Sequence, residues 1–134
     1  MMVEVKLSRI LIDEKRGEQV IVLKEATGDR LLPIVIGINE AVAIKMNLNK
    51  IKPPRPLTHD LICSVMDTFG LRLEKVVIDK LVENTFHAKL YFTTLTHQAE
   101  IIDARPSDSI ALAVRKKTPI FVNEQIWEKL SPGI

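Results

Sequence analysis

The chain has 134 residues, 46% of them hydrophobic and 27% charged, which suffices for one domain with its own core and excludes a disordered polymer. Its net charge of +2 and aromatic content of 4% argue against a wide basic or stacking platform, so any nucleic-acid ligand needs a confined site. Cys63 is the one cysteine, which excludes an internal disulfide and a multi-cysteine zinc site.

Val3 to Asp13 predicts a first strand. Val3, Val5 and Leu7 share a face before Ile10 and Ile12 take over, a slip that a β-bulge produces. Glu14-Lys15-Arg16-Gly17 reads as a polar turn, and Gln19 to Glu25 as an interior strand, apolar on both faces. A tight turn at Thr27-Gly28-Asp29 leads to Arg30–Ile36, where Pro33 argues for a sheet edge or a bulge. Asn39 to about Asn49 predicts a helix, with Ile38, Ala41, Val42, Ile44 and Leu48 inward.

Residues 50–56, with three prolines, form a stiff linker. Thr58 is expected to cap a second helix, with Asp60 in its first turn and Leu61, Ile62, Val65, Met66 and Phe69 inward. Gly70 ends it. Cys63, inside this apolar segment, reads as a small core residue. Leu71–Leu81 repeats the phase slip of the first strand. Thr85–Thr93 alternates cleanly, and Ala99–Asp103 is a sixth strand. Pro106 suits the first position of a buried helix that Arg115, Lys116 and Lys117 finish at the carbonyl end. Pro119–Val122 is a seventh strand, and Asn123 caps a last helix through Leu130.

The expected class is α+β, one compact domain over 1–134 built of two pseudo-repeated units, about 3–49 and 71–117, each of three antiparallel strands plus helices. The units are offset by 68 residues (71 − 3), which maps Glu40 onto Asp108 and Ile34 onto Ile102. Chance similarity of two β-rich halves is the plainer alternative.

Several segments resemble one family: Asp103-Ala104-Arg105-Pro106-Ser107-Asp108-Ser109-Ile110-Ala111-Leu112-Ala113, Leu32-Pro33-Ile34-Val35-Ile36-Gly37 with Glu40-Ala41, Pro54-Arg55-Pro56-Leu57-Thr58-His59-Asp60, and Pro119-Ile120-Phe121-Val122. On these residues the chain resembles the bifunctional nuclease domain family of bacteria and plants. The resemblance implies hydrolysis of phosphodiester bonds in RNA and DNA. Many bacterial relatives carry a helical hairpin after this domain, and none is expected within these 134 residues.

Such hydrolysis needs charge neutralisation on the phosphate and an activated water, supplied by carboxylates holding Mg²⁺ or Mn²⁺, the divalent-metal-dependent route expected here, or without metal by a histidine pair as acid and base with a lysine or arginine clamp. Two polar clusters qualify, Asp103, Arg105, Ser107 and Asp108 at the strand-to-helix elbow, and Arg55, Thr58, His59 and Asp60 after the linker. Asp103, Asp108 and Asp60 are the candidate metal ligands. Arg55, Arg105 and Ser107 are the candidate phosphate contacts, and Asp103, Arg105, Asp108 and His59 the candidate catalytic group. Their expected meeting place is between the elbow and Arg55–Asp60. The other elbow, Gly37–Glu40, lacks an arginine and is expected to be structural. The plain alternative is that Asp108, Asp60 and Glu40 merely favour helix N-termini, that Thr58 and Ser107 are caps, and that Arg105 pairs with Asp103 or Asp60.

No Gly-rich phosphate loop or G-x-S-x-G elbow is present. A different class stays open, a non-catalytic oligomeric module binding nucleic acid or a small ligand. The surplus of apolar positions predicts a two-fold homodimer, with Trp127 as a buried anchor. No apolar run reaches the length of a membrane span, and Met1-Met2-Val3-Glu4 does not read as a signal peptide, so a cytoplasmic location is expected.

Overall fold

The computed structural model describes residues 1–13, 15 and 17–130; the turn expected at Glu14 and Arg16 lies outside them. Seven strands, β1 (Met2–Asp13), β2 (Glu18–Glu25), β3 (Leu31–Ile36), β4 (Arg72–Val82), β5 (Thr85–Thr93), β6 (Ala99–Ala104) and β7 (Ile120–Asn123), form one open sheet. Their order is β3-β2-β1-β7-β4-β5-β6. Four helices complete the α+β fold, α1 (Ile38–Leu48), α2 (Thr58–Phe69), α3 (Pro106–Lys116) and α4 (Gln125–Leu130).

Each half is an antiparallel meander followed by a helix. The bounds of β3 and β6 differ by 68 residues (99 − 31), as do those of α1 and α3 (106 − 38). β7 joins the halves, antiparallel to β1 and parallel to β4, so β1 and β4 run in opposite directions. The first strand's phase slip is a register shift between Leu7 and Arg9, and β4 shifts between Leu73 and Lys75 and again between Ile78 and Lys80. Pro33 lies on β3, an edge strand, where a missing N–H does least harm.

One core runs through both halves. Ile21 and Leu23 of β2, Val76 and Ile78 of β4, and Ile110 and Leu112 of α3 are fully buried in it. α3 is the central helix, packed on β4 and β5 and flanked by α1 and α2. Its first position is Pro106, and Arg105 is its N-cap in extended conformation.

The helices bury only part of the faces expected, Ala41 and Ile44 on α1 and Ile62 and Met66 on α2 among them. On α1, Glu40, Ala41 and Ile44 are buried, while Ile38, Val42 and Leu48 are exposed. On α2, His59, Cys63 and Met66 face in, while Leu61, Val65 and Phe69 are exposed. Thr58 is not the cap of α2. Leu57 holds that position, and its amide donates to Asp60 Oδ2 at 2.9 Å. Gly70 ends α2 in the left-handed region, φ 68°. Trp127 is half-buried and engaged within the chain, its Nε1 donating to Leu31 O at 2.9 Å and its ring 4.3 Å from the Arg30 guanidinium carbon. It is therefore not a free anchor for a partner. No helix among the described residues is long and apolar enough to cross a membrane.

Candidate active site

Two helix N-termini and the end of the proline linker converge on one guanidinium. Arg105, just before α3, donates from Nε to Asp108 Oδ2 at 2.9 Å and from Nη2 to Asp108 Oδ1 at 3.2 Å. The same Nη2 donates to Glu40 Oε1, in the first turn of α1, at 2.6 Å. This fork is the geometry in which guanidinium–carboxylate pairing is strongest. Asp108 pairing holds the Arg105 guanidinium above its ordinary pKa. Yet its side chain stays 69% exposed, because the carboxylates approach from one side.

His59, in the first turn of α2, completes the group. Its Nε2 lies 3.0 Å from Asp108 Oδ1. Burial pushes the Asp108 carboxyl up, but the hydrogen bonds from Arg105 and His59 outweigh it and hold Asp108 below its ordinary value. An ionised Asp108 oxygen only accepts, so in this bond Nε2 is the donor. His59 is buried in the fold yet lines a cleft of about 530 Å³ together with Glu40, Arg105 and Asp108. Asn39 and Pro56 also line it.

The structure thus brings together Arg105, Asp108 and His59. It also brings in Glu40, which sequence reasoning had assigned to a structural elbow. The signal was present in the offset of 68, which pairs Glu40 with Asp108; the two equivalent carboxylates meet on one arginine. The other candidates lie elsewhere. Asp103 is on β6, 75% exposed, and accepts from Lys89 Nζ at 3.4 Å. Lys89 in turn donates to Asp79 at 3.2 Å. Asp60 caps the Leu57 amide and accepts from Arg115 Nε at 3.3 Å. Ser107 is buried and does not line the cleft. Arg55 is exposed, with no ion-pair partner among the described residues.

The expected metal set, Asp103, Asp108 and Asp60, is therefore not assembled. Each acid faces a different cation, and among the described residues no three His, Cys, Asp or Glu side chains gather to hold a metal ion. Where Asp108 and Glu40 do converge, the Arg105 guanidinium already fills the position a cation would take. The residues as placed do not fit a resident Mg²⁺ or Mn²⁺. Cys63 is buried and unbridged, and burial pushes its thiol above the ordinary value, which suits packing rather than nucleophilic attack.

The family model described as bifunctional nuclease domain matches residues 21–132. The chain belongs to the bifunctional nuclease domain family. An uncharacterized protein of Mycobacterium tuberculosis is 43% identical over 123 residues, covering 92% of this chain and 73% of that protein. Bifunctional nuclease 1 of Oryza sativa subsp. indica is 33% identical over 109 residues, covering 79% of this chain and 33% of that protein. Bifunctional nuclease 2 of Oryza sativa subsp. japonica is 30% identical over 118 residues, covering 86% and 36%. This chain spans about a third of the length of the plant relatives. The matched region holds every residue of the Arg105 cleft.

Proposed function

We propose that this chain is a nuclease hydrolysing phosphodiester bonds of RNA and DNA strands in the Arg105 cleft. The observation that carries the proposal is an exposed guanidinium, fixed by two carboxylates, beside a histidine whose Nε2 is held by one of them. Family membership and the plant relatives named bifunctional nucleases supply the reaction class.

Arg105 has five N–H donors, of which three are used on Asp108 and Glu40. The two at Nη1 remain to grip a non-bridging phosphate oxygen. His59, oriented by Asp108, accepts at Nδ1 the proton of the attacking water. As the new O–P bond forms, the bond to the leaving oxygen on the far side of phosphorus breaks; that oxygen takes a proton from water, and the imidazolium returns its own proton to solvent. Glu40 positions Arg105 and does not touch the reacting atoms. Arg55, exposed and next in the chain to Pro56 of the cleft wall, supplies a second cation for the strand. No step runs through a metal ion.

The test is incubation of labelled single-stranded RNA and DNA with the purified chain in Mg²⁺, Mn²⁺ or EDTA. Cleavage of both strands is expected, EDTA included. Arg105→Ala is expected to lower it by more than about tenfold, roughly 1.4 kcal/mol in the barrier. Asp103→Asn, outside the cleft, is expected to change it less than about twofold. Normal cleavage by the Arg105 variant, or cleavage that EDTA abolishes, overturns this mechanism.

One observation favours a second reading, a non-catalytic oligomeric module for nucleic acid or a small ligand. The cleft's lining sets two carboxylates, Glu40 and Asp108, against one guanidinium. That reading expects oligonucleotide binding with no cleavage at all. We further propose a two-fold homodimer, supported by the apolar residues left exposed on α2 and β6.

A further inference from the structure

A cleft whose carboxylates outnumber its guanidinium holds a polyanion poorly by itself. A strand substrate carries a charge on every phosphate, and neutralising those charges supplies most of its affinity. That charge has to come from beside the cleft. A second groove, of about 440 Å³, opens next to it, with Pro56 and Leu57 forming a wall common to both.

Its charge balance is the reverse of the first. Lys50, Lys52 and Arg115 line it against a single carboxylate, Asp60. Asp60 accepts from Arg115, and neither Lys50 nor Lys52 has an ion-pair partner among the described residues. Both lysines are exposed. Lys50 follows the end of α1 with φ 56°, and the amide of Ile51 donates back to Met46 O at 2.9 Å, so this turn is closed by backbone bonds. Pro53, Pro54 and Pro56 then stiffen the run between the lysines and the Arg105 cleft. Asn47 Nδ2 donates to Val114 O at 3.0 Å and ties this end of α1 to α3. Met46 and Ile51 give the groove an apolar surface, against which a ribose or base face can lie.

We infer that the Lys50–Lys52–Arg115 groove is a second subsite, which holds the phosphodiester backbone of the same single strand whose scissile bond lies in the Arg105 cleft. It rests on the nuclease reading only for the word scissile; strand binding stands without it. Exposed Arg55, between Pro54 of the groove and Pro56 of the shared wall, meets the phosphate that crosses from one to the other. Substrates long enough to reach both sites are the ones the protein takes well.

Fluorescence anisotropy with a labelled phosphorothioate oligothymidine, which keeps the charge and resists hydrolysis, tests this over a salt series. Lys50→Ala with Lys52→Ala is expected to weaken binding about tenfold and to reduce the log–log salt slope by about 1.4, two contacts at roughly 0.7 each. Lys50→Arg with Lys52→Arg is expected to retain affinity. Lys24→Ala with Lys80→Ala, exposed lysines on β2 and β4, is the control of equal charge change and is expected to bind as the parent. A mononucleotide is expected to compete weakly. Parent-like binding by the Lys50 and Lys52 pair, an equal loss in the control, equal competition by the mononucleotide, or no binding by the parent protein overturns the inference. Binding that depends on these lysines in a protein that cuts nothing sinks the nuclease reading and leaves the subsite standing.

Discussion

Arg105 shows how a surface arginine becomes a fixed tool. An unpaired arginine carries large rotamer entropy, and gripping a phosphate would cost that entropy at each encounter. Glu40 and Asp108 remove most of it in advance, leaving Nη1 aimed outward. The bridging carboxylate is sensitive to pH. Asp108 lies below its ordinary pKa, so the folded state holds the ionised form more tightly than the unfolded chain does. That stability is complete above the ordinary carboxylate range and is lost as pH falls through the lowered folded value. Melting temperatures of the parent and of Asp108→Asn are expected to differ by a constant amount above about pH 5 and to converge below about pH 4. A gap that stays constant to low pH would show that the Arg105 fork adds nothing to folding. The residue types of this site were legible from the sequence, because Arg105, Asp108 and His59 are chemically conspicuous. Their pairing was not. Asp103 carries a carboxylate as Glu40 does and is closer to Arg105 in the chain, and only the packing of α1 beside α3 decides which of the two reaches it.

At the scale of elements, punctuation residues carried the boundaries. Pro33, Gly70 and Pro106 each restrict the backbone so strongly that an edge strand, a helix end and a helix start follow locally. Helix phase is another matter. α2 bears two apolar stripes, one through Ile62, Cys63 and Met66 and the other through Leu61, Val65 and Phe69. Periodicity cannot choose between them when both are apolar, and burial follows the contact with α3. The end of α2 offers a local check. Gly70 has φ 68°, and a Cβ there would collide with the Leu95 side chain. Leu95 is exposed and can swing away, but the left-handed strain remains. Gly70→Ala is expected to cost about 1 kcal/mol, read as a fall of about 4 °C in melting temperature. An unchanged melting temperature would mean that α2 ends without needing this conformation.

Exposed apolar side chains occur on several elements of the described residues, and those on α2 and β6 bear on how copies of the chain could meet. Leu61, Val65 and Phe69 are exposed along the outer stripe of α2, Phe69 to 66%. Leu95, in the turn between β5 and β6, lies against Gly70 at the end of that helix and is itself 75% exposed. On β6, Ile101 and Ile102 are exposed as well, one on each face of the strand. β6 is also a sheet edge, with one side of its backbone unpaired. An exposed apolar helix stripe and an open strand edge are both surfaces that a partner can cover. A second copy can cover both parts about a two-fold axis, edge against edge and stripe against stripe. Sedimentation equilibrium at micromolar concentration is therefore expected to give a dimer. Phe69→Lys on α2 and Ile102→Lys on β6 are each expected to shift it to monomer with unchanged circular dichroism, since neither side chain belongs to the core. A monomeric parent protein excludes the dimer. A dimer that survives both substitutions moves the interface off these residues. The Arg105 cleft draws on α1, α3 and the first turn of α2, whereas these exposed apolar residues lie on the outer stripe of α2 and on β6. Monomeric variants are therefore expected to keep cleavage within about twofold of the parent, and a larger loss would show that the second copy completes the site.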